Sequence, residues 1–413
     1  MFKIVRFPSK LQPFFSSLTK EFHWDHDKYF SILVLLICFS WERRNIAALY
    51  RYLDRNQYTH RSRFNNFLNL GRWNPEKALQ QKAYELLYLL RPGAEDVLYL
   101  CLDDSKKDKR GTQMEAVGWL YDPVSGKKIK GHQYVQAIIS FHGVTIPFAV
   151  RLYVKHNDCA RLGMEFKKLT RLAAELIESF TPPAGLKVIV LFDSYYLCPA
   201  VVNACRAKKF TYVSTLKSNR NLFKNGRKLK AGTYGKHLLK SNPTKKYCLK
   251  KPSGTVRFSY GDAGWMSLSG IGTAQVVYSR KNKEKNMLPI VSNDPSLSAR
   301  QMIQAYLIRW SIEVFFKDTK QHLGLGQYQN GTCRAAVMHL HLVCFAYALL
   351  THIAITGECA QAKKNANVAA RPTTSSLQNE LRRIVWDDLV DYLKELPSGD
   401  SVVKELSRLL VAA

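Results

Sequence analysis

The chain has 413 residues, beyond the size at which one hydrophobic core stops growing, so two or three domains are expected. Hydrophobic residues at 46% and aromatics at 12% exclude a disordered chain. Sixty-two Lys and Arg stand against 32 Asp and Glu, a net charge of +30 that attracts polyanions with a steep salt dependence. Charge alone leaves nucleic acid and acidic membrane as partners. The apolar run Ile32–Phe39 covers eight residues, whereas a bilayer span needs about 20. The opening MFKIVRFPSK has neither the apolar stretch nor the small-residue cleavage site of a signal peptide, so a cytoplasmic location is expected. Nine cysteines, odd in number and never spaced CxxC, argue for reduced thiols and against a disulfide framework or a zinc ribbon.

Residues 1–92 are helical in pattern, with Tyr29–Cys38 and Ala78–Leu90 as clear helices. Between them Ile46, Leu49 and Tyr50 recur at helical spacing, a polar break follows at Asp54–Thr59, and Ser62–Leu70 carries Phe64, Phe67 and Leu68. Two short helices around a tight turn, with Arg61, Arg63 and Arg72 beside the second, suggest a helix-turn-helix and a helical DNA-binding domain. An ordinary helical hairpin with a solvated basic face is the alternative.

From residue 93 the period changes. VLYLCLDD is a short apolar run ending in acid; YVQAIISF and VTIPFAVRLYV follow around His142-Gly143, the pattern of a hairpin. Ala160–Phe180 reads as one amphipathic helix, LKVIVLFD as a second buried strand ending in acid, and Ala200–Ala207 as another helix. This order predicts a mixed α/β sheet, with residues 93–216 as its first part. Residues 206–260 then hold sixteen Lys or Arg and no acid, interrupted by TYVSTL and TVRFSY, and AQVVYS follows at 274–279. We read 217–290 as a basic, β-rich insertion suited to backbone phosphates. Helical patterns return at 299–321 and 332–356, within a segment 291–358 that completes the core. AQAKKNANVAARPTTSS reads as a linker, and the helices at 378–394 and 400–411 as a C-terminal module, 359–413, suited to dimerisation.

Three carboxylate positions carry the chemistry. Asp103-Asp104 and Asp193 end buried strands, where α/β sheets bind ligands. Side chains alternate along a strand, so only one of Asp103 and Asp104 faces the crevice. On a helix Tyr306, Arg309, Glu313 and Lys320 share one face. That stripe lies amid Trp310, Ile312, Val314, Phe315 and Phe316, so it is expected to be partly enclosed, and enclosed charges need a partner or a metal. Carboxylates with few His or Cys nearby suit magnesium or manganese, and two such ions support phosphodiester cleavage. His339 and His341 point about 200° apart on a helix and make no metal pair. No GxxxxGK[ST] loop is present, which argues against an ATP-driven enzyme.

The spacing Tyr306–(2)–Arg309–(3)–Glu313–(6)–Lys320 resembles the YREK signature of bacterial insertion-sequence transposases of the DDE type. Ser292-Asn293-Asp294 before it, KQHLGL after it, LDDS at 102–105 and LFDSYY at 191–196 extend the resemblance over roughly residues 95–355. It implies an RNase H-like α/β fold, with a β-rich insertion before the Glu helix and a helical N-terminal domain. It implies Asp104, Asp193 and Glu313 as catalytic residues and metal ligands for Mg2+, with Mn2+ as substitute; Asp104 is preferred to Asp103 because Ser105 follows it directly. Tyr306, Arg309 and Lys320 would hold phosphates of the transposon end, with Arg61 and Arg63 as further DNA contacts. The implied function is cut-and-paste transposition: binding of terminal inverted repeats, cleavage through a hairpin, and joining of 3′-hydroxyl ends to target DNA. A homodimer in a synaptic complex and a location at the nucleoid go with it. Trp265 is the Trp of the insertion available to stack on a flipped base. A transposase descendant that only binds DNA, and a host nuclease on the same core, are the competing readings.

Overall fold

In the computed structural model, residues 2–18, 26–56, 58, 60–111, 113–122, 125–241, 244–251, 254–281, 287–357, 372–397 and 399–410 are described. A 3-10 turn at Ser9–Leu11 leads into α1 (Gln12–Ser16), α2 (His26–Phe39), α3 (Ile46–Leu49) with a second 3-10 turn at Tyr50–Tyr52, α4 (Ser62–Leu70) and α5 (Pro75–Leu89). Local chemistry sets the starts: Asn45 caps α3 by accepting from Ala48 N, and Asn74 caps α5 from Lys77 N with Pro75 in the first turn. The gap between α3, with its 3-10 turn, and α4 runs over residues 53–61, longer than a tight turn, and within it the Asp54 carbonyl accepts from Tyr58 N at 3.0 Å. Leu53 pairs with Ile4 as a β-bridge, and Asp54 N donates to the Ile4 carbonyl at 3.1 Å, so a nonlocal contact holds the start of this stretch.

The strands follow as β1 (Val97–Asp108), β2 (Gly118–Asp122), β3 (Lys127–Phe141) and β4 (Val144–Tyr153). His142 and Gly143, at φ 45 and 68, form the predicted β3–β4 turn. Where one helix was expected over 160–180 there are two, α6 (His156–Leu162) and α7 (Leu169–Glu178), because Gly163 at φ 64 caps the first. Then come β5 (Lys187–Phe192), α8 (Pro199–Ala207) and β6 (Thr211–Thr215).

The basic stretch contains β7 (Asn221–Lys224), β8 (Arg227–Lys230), α9 (Ala231–Ser241), β9 (Lys245–Lys251), β10 (Gly254–Leu268) and β11 (Gly272–Lys281). After β12 (Leu288–Ser292) come α10 (Ala299–Ile308), α11 (Trp310–His322), α12 (Cys333–Thr356), α13 (Thr374–Lys394) and α14 (Asp400–Leu409). Residues 360–371, most of the expected linker, lie outside the described residues, and Thr373 caps α13.

All twelve strands join one mixed sheet in the order β2-β3-β1-β5-β6-β12-β11-β10-β7-β8, with β4 on β3 and β9 on β10. β1, β5 and β6 are parallel, and the other pairs are antiparallel. The fold is thus a mixed α/β core of RNase H-like type preceded by a helical region. The basic segment's strands extend the core sheet through β12. One buried cluster runs from Ile4 to Val385, and α2 is apolar on nearly every side because it packs against α12 and α13 within it. α12 is long and apolar enough to cross a membrane, yet 78% of its most apolar window is buried inside the protein, as in a core helix.

Candidate active site

Two parallel strands bring the acids level. The register between β1 and β5 runs to Cys101↔Leu191, and two residues further along lie Asp103 and Asp193. Cys101 Sγ lies 3.6 Å from Ser311 Oγ on α11, so alternation sends Asp103 toward that same helix. Asp104 projects from the opposite face. There the Tyr196 hydroxyl donates to Oδ1 at 2.9 Å and the Gln133 amide to Oδ2 at 2.6 Å. Asp193 sits just past β5 in a turn, where its Oδ1 accepts from the backbone N–H of Tyr195 at 2.9 Å and of Tyr196 at 3.4 Å.

The helical run expected over 299–321 divides at Arg309. Backbone bonds tighten to i→i+3 there, from Arg309 N to the Tyr306 carbonyl and from Ile312 N to the Arg309 carbonyl, both at 3.1 Å. Arg309 keeps helical torsions, so Tyr306, Arg309 and Glu313 still meet on one side. Its guanidinium links three elements: Nε donates to the Tyr306 hydroxyl at 3.1 Å, Nη1 to Asp103 at 3.2 Å, and Nη2 to Glu313. Tyr306 in turn reaches Thr215 Oγ1 on β6 at 3.4 Å.

Two comparisons bear on what this arrangement is. A family model described as DDE superfamily endonuclease matches residues 13–259, and one described as transposase DDE domain group 1 matches residues 160–379. Each spans more than half of the chain. The chain belongs to the DDE transposases. Comparison with curated proteins gives no match. A DDE transposase is a metal-dependent DNA endonuclease, so the transposase acts on DNA with divalent cations.

The electrostatics suit such a task. Burial pushes Asp103 up to about 7; Arg309 opposes the shift, while Asp193 and Asp104 add to it. Burial likewise raises Asp193, with its two backbone donors and Arg309 opposing. Burial works against the charge of Arg309, but Tyr306, Asp103 and Glu313 outweigh it and hold the guanidinium protonated. Crowded, desolvated carboxylates are the donor set a hard cation prefers, and their mutual repulsion is what a cation would relieve. Among the described residues no three His, Cys, Asp or Glu side chains stand close enough to enclose an ion. Arg309 supplies the positive charge shared by Asp103 and Glu313.

The remaining expected residues are spread more widely. Lys320, further along α11, has its ammonium 5.8 Å from the Phe316 ring, and its pKa is lowered by burial and by Lys107, with Asp122, Asp103 and Asp104 opposing. Arg61 and Arg63 are exposed at the start of α4, which packs on α2 and α12. Trp265 is 44% exposed on β10, just after Gly264 at φ 75, where the register with β11 shifts. His339 Nε2 donates to the Arg44 carbonyl at 3.1 Å, and His341 Nδ1 donates to Val337 at 2.8 Å. Gln133 and Tyr196 hold Asp104 on the opposite face of β1, while Lys107 stands on the face of Asp103. Tyr196 closes the LFDSYY stretch, whereas Gln133 carried no signal in the sequence and Lys107 was one base among many.

Proposed function

We propose that the transposase binds the terminal inverted repeats of an insertion sequence, cleaves at their ends by two-metal phosphoryl transfer, and joins the freed 3′-hydroxyls to target DNA. The carrying observation is the sharing of Arg309 by Asp103 and Glu313 beside Asp193, three elements converging on one set of acids. Asp193, Glu313 and one of the Asp103-Asp104 pair would hold Mg2+, or Mn2+ in its place. Of that pair Asp103 faces Arg309, whereas Asp104 is the residue selected by the family resemblance. Bound there, the ions would supply an activated attacking oxygen and a stabilised leaving oxygen.

The chain's own groups do the rest. Tyr306, Arg309 and Lys320 position phosphates of the transposon end beside the acids, and a phosphate offers Arg309 the bidentate partner its fork favours. Arg61 and Arg63 reach the repeat further along, and the lysines between 217 and 260 grip the backbone. A hairpin on the transposon end, with Trp265 stacking on a flipped base, fits this scheme, as does a homodimer that synapses two ends at the nucleoid. The test is cleavage of a labelled plasmid carrying the element's ends, with Mg2+, Mn2+ or EDTA, by wild type and Glu313→Ala. Metal-dependent excision lost in the variant is the expected result. Tight end binding by the wild type without cleavage under any metal would overturn the proposal.

A further inference from the structure

β2 ends the sheet, and its cross-strand partners on β3 form an unusual ladder. Trp119 pairs with Lys130 and Tyr121 with Lys128, so two aromatics and two lysines project from one face. Trp119 and Tyr121 are each 62% exposed, whereas Leu120 between them is buried, so β2 turns its apolar anchor inward and its two large rings outward. The strand is braced in this pose. Lys155 Nζ donates to the Trp119 carbonyl at 2.6 Å, and its stem fills the space at Gly118, where a Cβ would lie 2.7 Å from it.

The ladder stands on the same face of the sheet as the acids. Tyr134, which meets Phe316 of α11 edge-on at 6.2 Å, shares that face with Lys130 and Lys128 by alternation along β3. Gln136, the partner of Asp103, shares it as well. Lys107 projects from this face between the acids and the ladder, and Asp122 at the end of β2 lies within electrostatic reach of Lys320. From Gln136 to Lys128 is eight residues of strand, roughly 27 Å. The path therefore leads from the carboxylates past Lys107 and Lys320 to Trp119 and Tyr121.

We propose that the β2–β3 ladder is a second DNA-binding surface, which holds an unpaired strand by stacking bases on Trp119 and Tyr121 and by setting phosphates on Lys128 and Lys130. Residues i and i+2 of a strand stand about 7 Å apart, twice the spacing of stacked bases, which leaves room for one base between the rings. Stacking of this kind needs a base freed from its partner, so the surface selects single strands over duplex. The inference takes from the proposed cleavage reaction only the direction in which the strand leaves the acids.

The test is binding of a fluorescent single-stranded oligonucleotide and of a blunt duplex in EDTA, so that no cleavage is involved. For the single strand, Trp119→Ala and Tyr121→Ala should each lose roughly tenfold in affinity, Trp119→Phe should retain most of it, and duplex binding should hold within about twofold. Lys128→Gln with Lys130→Gln should lower the salt slope for the single strand by about 1.4. Because the binding is read without metal and without cleavage, a failure of the cleavage reading would leave this result standing. Unchanged single-strand affinity in the aromatic variants, or an equal loss for single strand and duplex, would overturn the proposal. Loss of a dimer in sedimentation, with oligonucleotide binding intact, would overturn it in favour of self-association.

Discussion

The hydroxyl of Tyr196 donates to Asp104 at 2.9 Å, on the face of β1 turned away from Arg309. Asp104 is therefore held by Tyr196 and Gln133, while its neighbour Asp103 meets the Glu-bearing helix through Arg309. Asp103→Asn is expected to abolish metal-dependent cleavage. Asp104→Asn should act as loss of an outer partner, roughly a 10- to 100-fold reduction. Single-turnover cleavage of an end substrate checks the ranking, and the reverse order would make Asp104 the direct ligand.

Lys320→Ala should weaken binding to the terminal repeats and lower the slope of log affinity against log salt by about 1. Titration at several salt concentrations measures this, and an unchanged slope would count against a phosphate contact. Lys320→Arg should restore the slope.

Stability should fall in acid through two buried histidines. His132 Nε2 donates to the Glu115 carbonyl at 2.8 Å and Nδ1 accepts from the Tyr328 hydroxyl at 2.5 Å, and burial lowers its pKa to about 4. Burial lowers His339 to about 3. Both titrate lower when folded, so the unfolded chain takes up protons first, and stability present at neutral pH is lost as pH falls from about 6.5 toward 4. His132 alone contributes on the order of 3 kcal/mol of that loss. Urea unfolding across this window should show it, and His132→Gln should flatten the curve.

Phe345 is fully buried on α12, with its ring 4.8 Å from Phe30 and 6.2 Å from Trp73. It ties the long helix to the N-terminal layer, and Phe345→Ala should cost about 3–5 kcal/mol by denaturant unfolding. A loss under about 1 kcal/mol would mean that this junction collapses around the cavity.

Asp193 at the end of β5, a stripe through an apolar helix and a long basic segment were legible because each is a local pattern. Asp103 and Asp104 were expected to end their strand, but β1 runs on past them to Asp108, paired with β3 throughout. Which face of β1 Asp103 and Asp104 each take was not legible, since the residue that follows an acid says nothing about which side of a strand it takes. That depended on the pairing of β1 with β5 and on Ser311 lying over Cys101. The division at Arg309 left no trace because its torsions stay helical, whereas Gly163 was a visible stop inside the pattern read as one helix. The length of the connection between the two short helices was not legible either, because Leu53 is held by a nonlocal bridge to Ile4.

The beginning of the chain is completed by residues made roughly four hundred positions later. Phe2 bridges to Leu410, Lys3 N donates to the Leu409 carbonyl at 2.7 Å, and the Lys3 ammonium donates to Arg408 at 2.9 Å. Arg408 also grips Asp54, next to the Leu53 that holds Ile4. During translation this seam stays open until residue 410 has cleared the ribosome, so the N-terminal layer reaches its final form only as synthesis of this stretch ends. Until then each nascent copy exposes a short unpaired edge, which a neighbouring polysome-bound copy could fill by exchange.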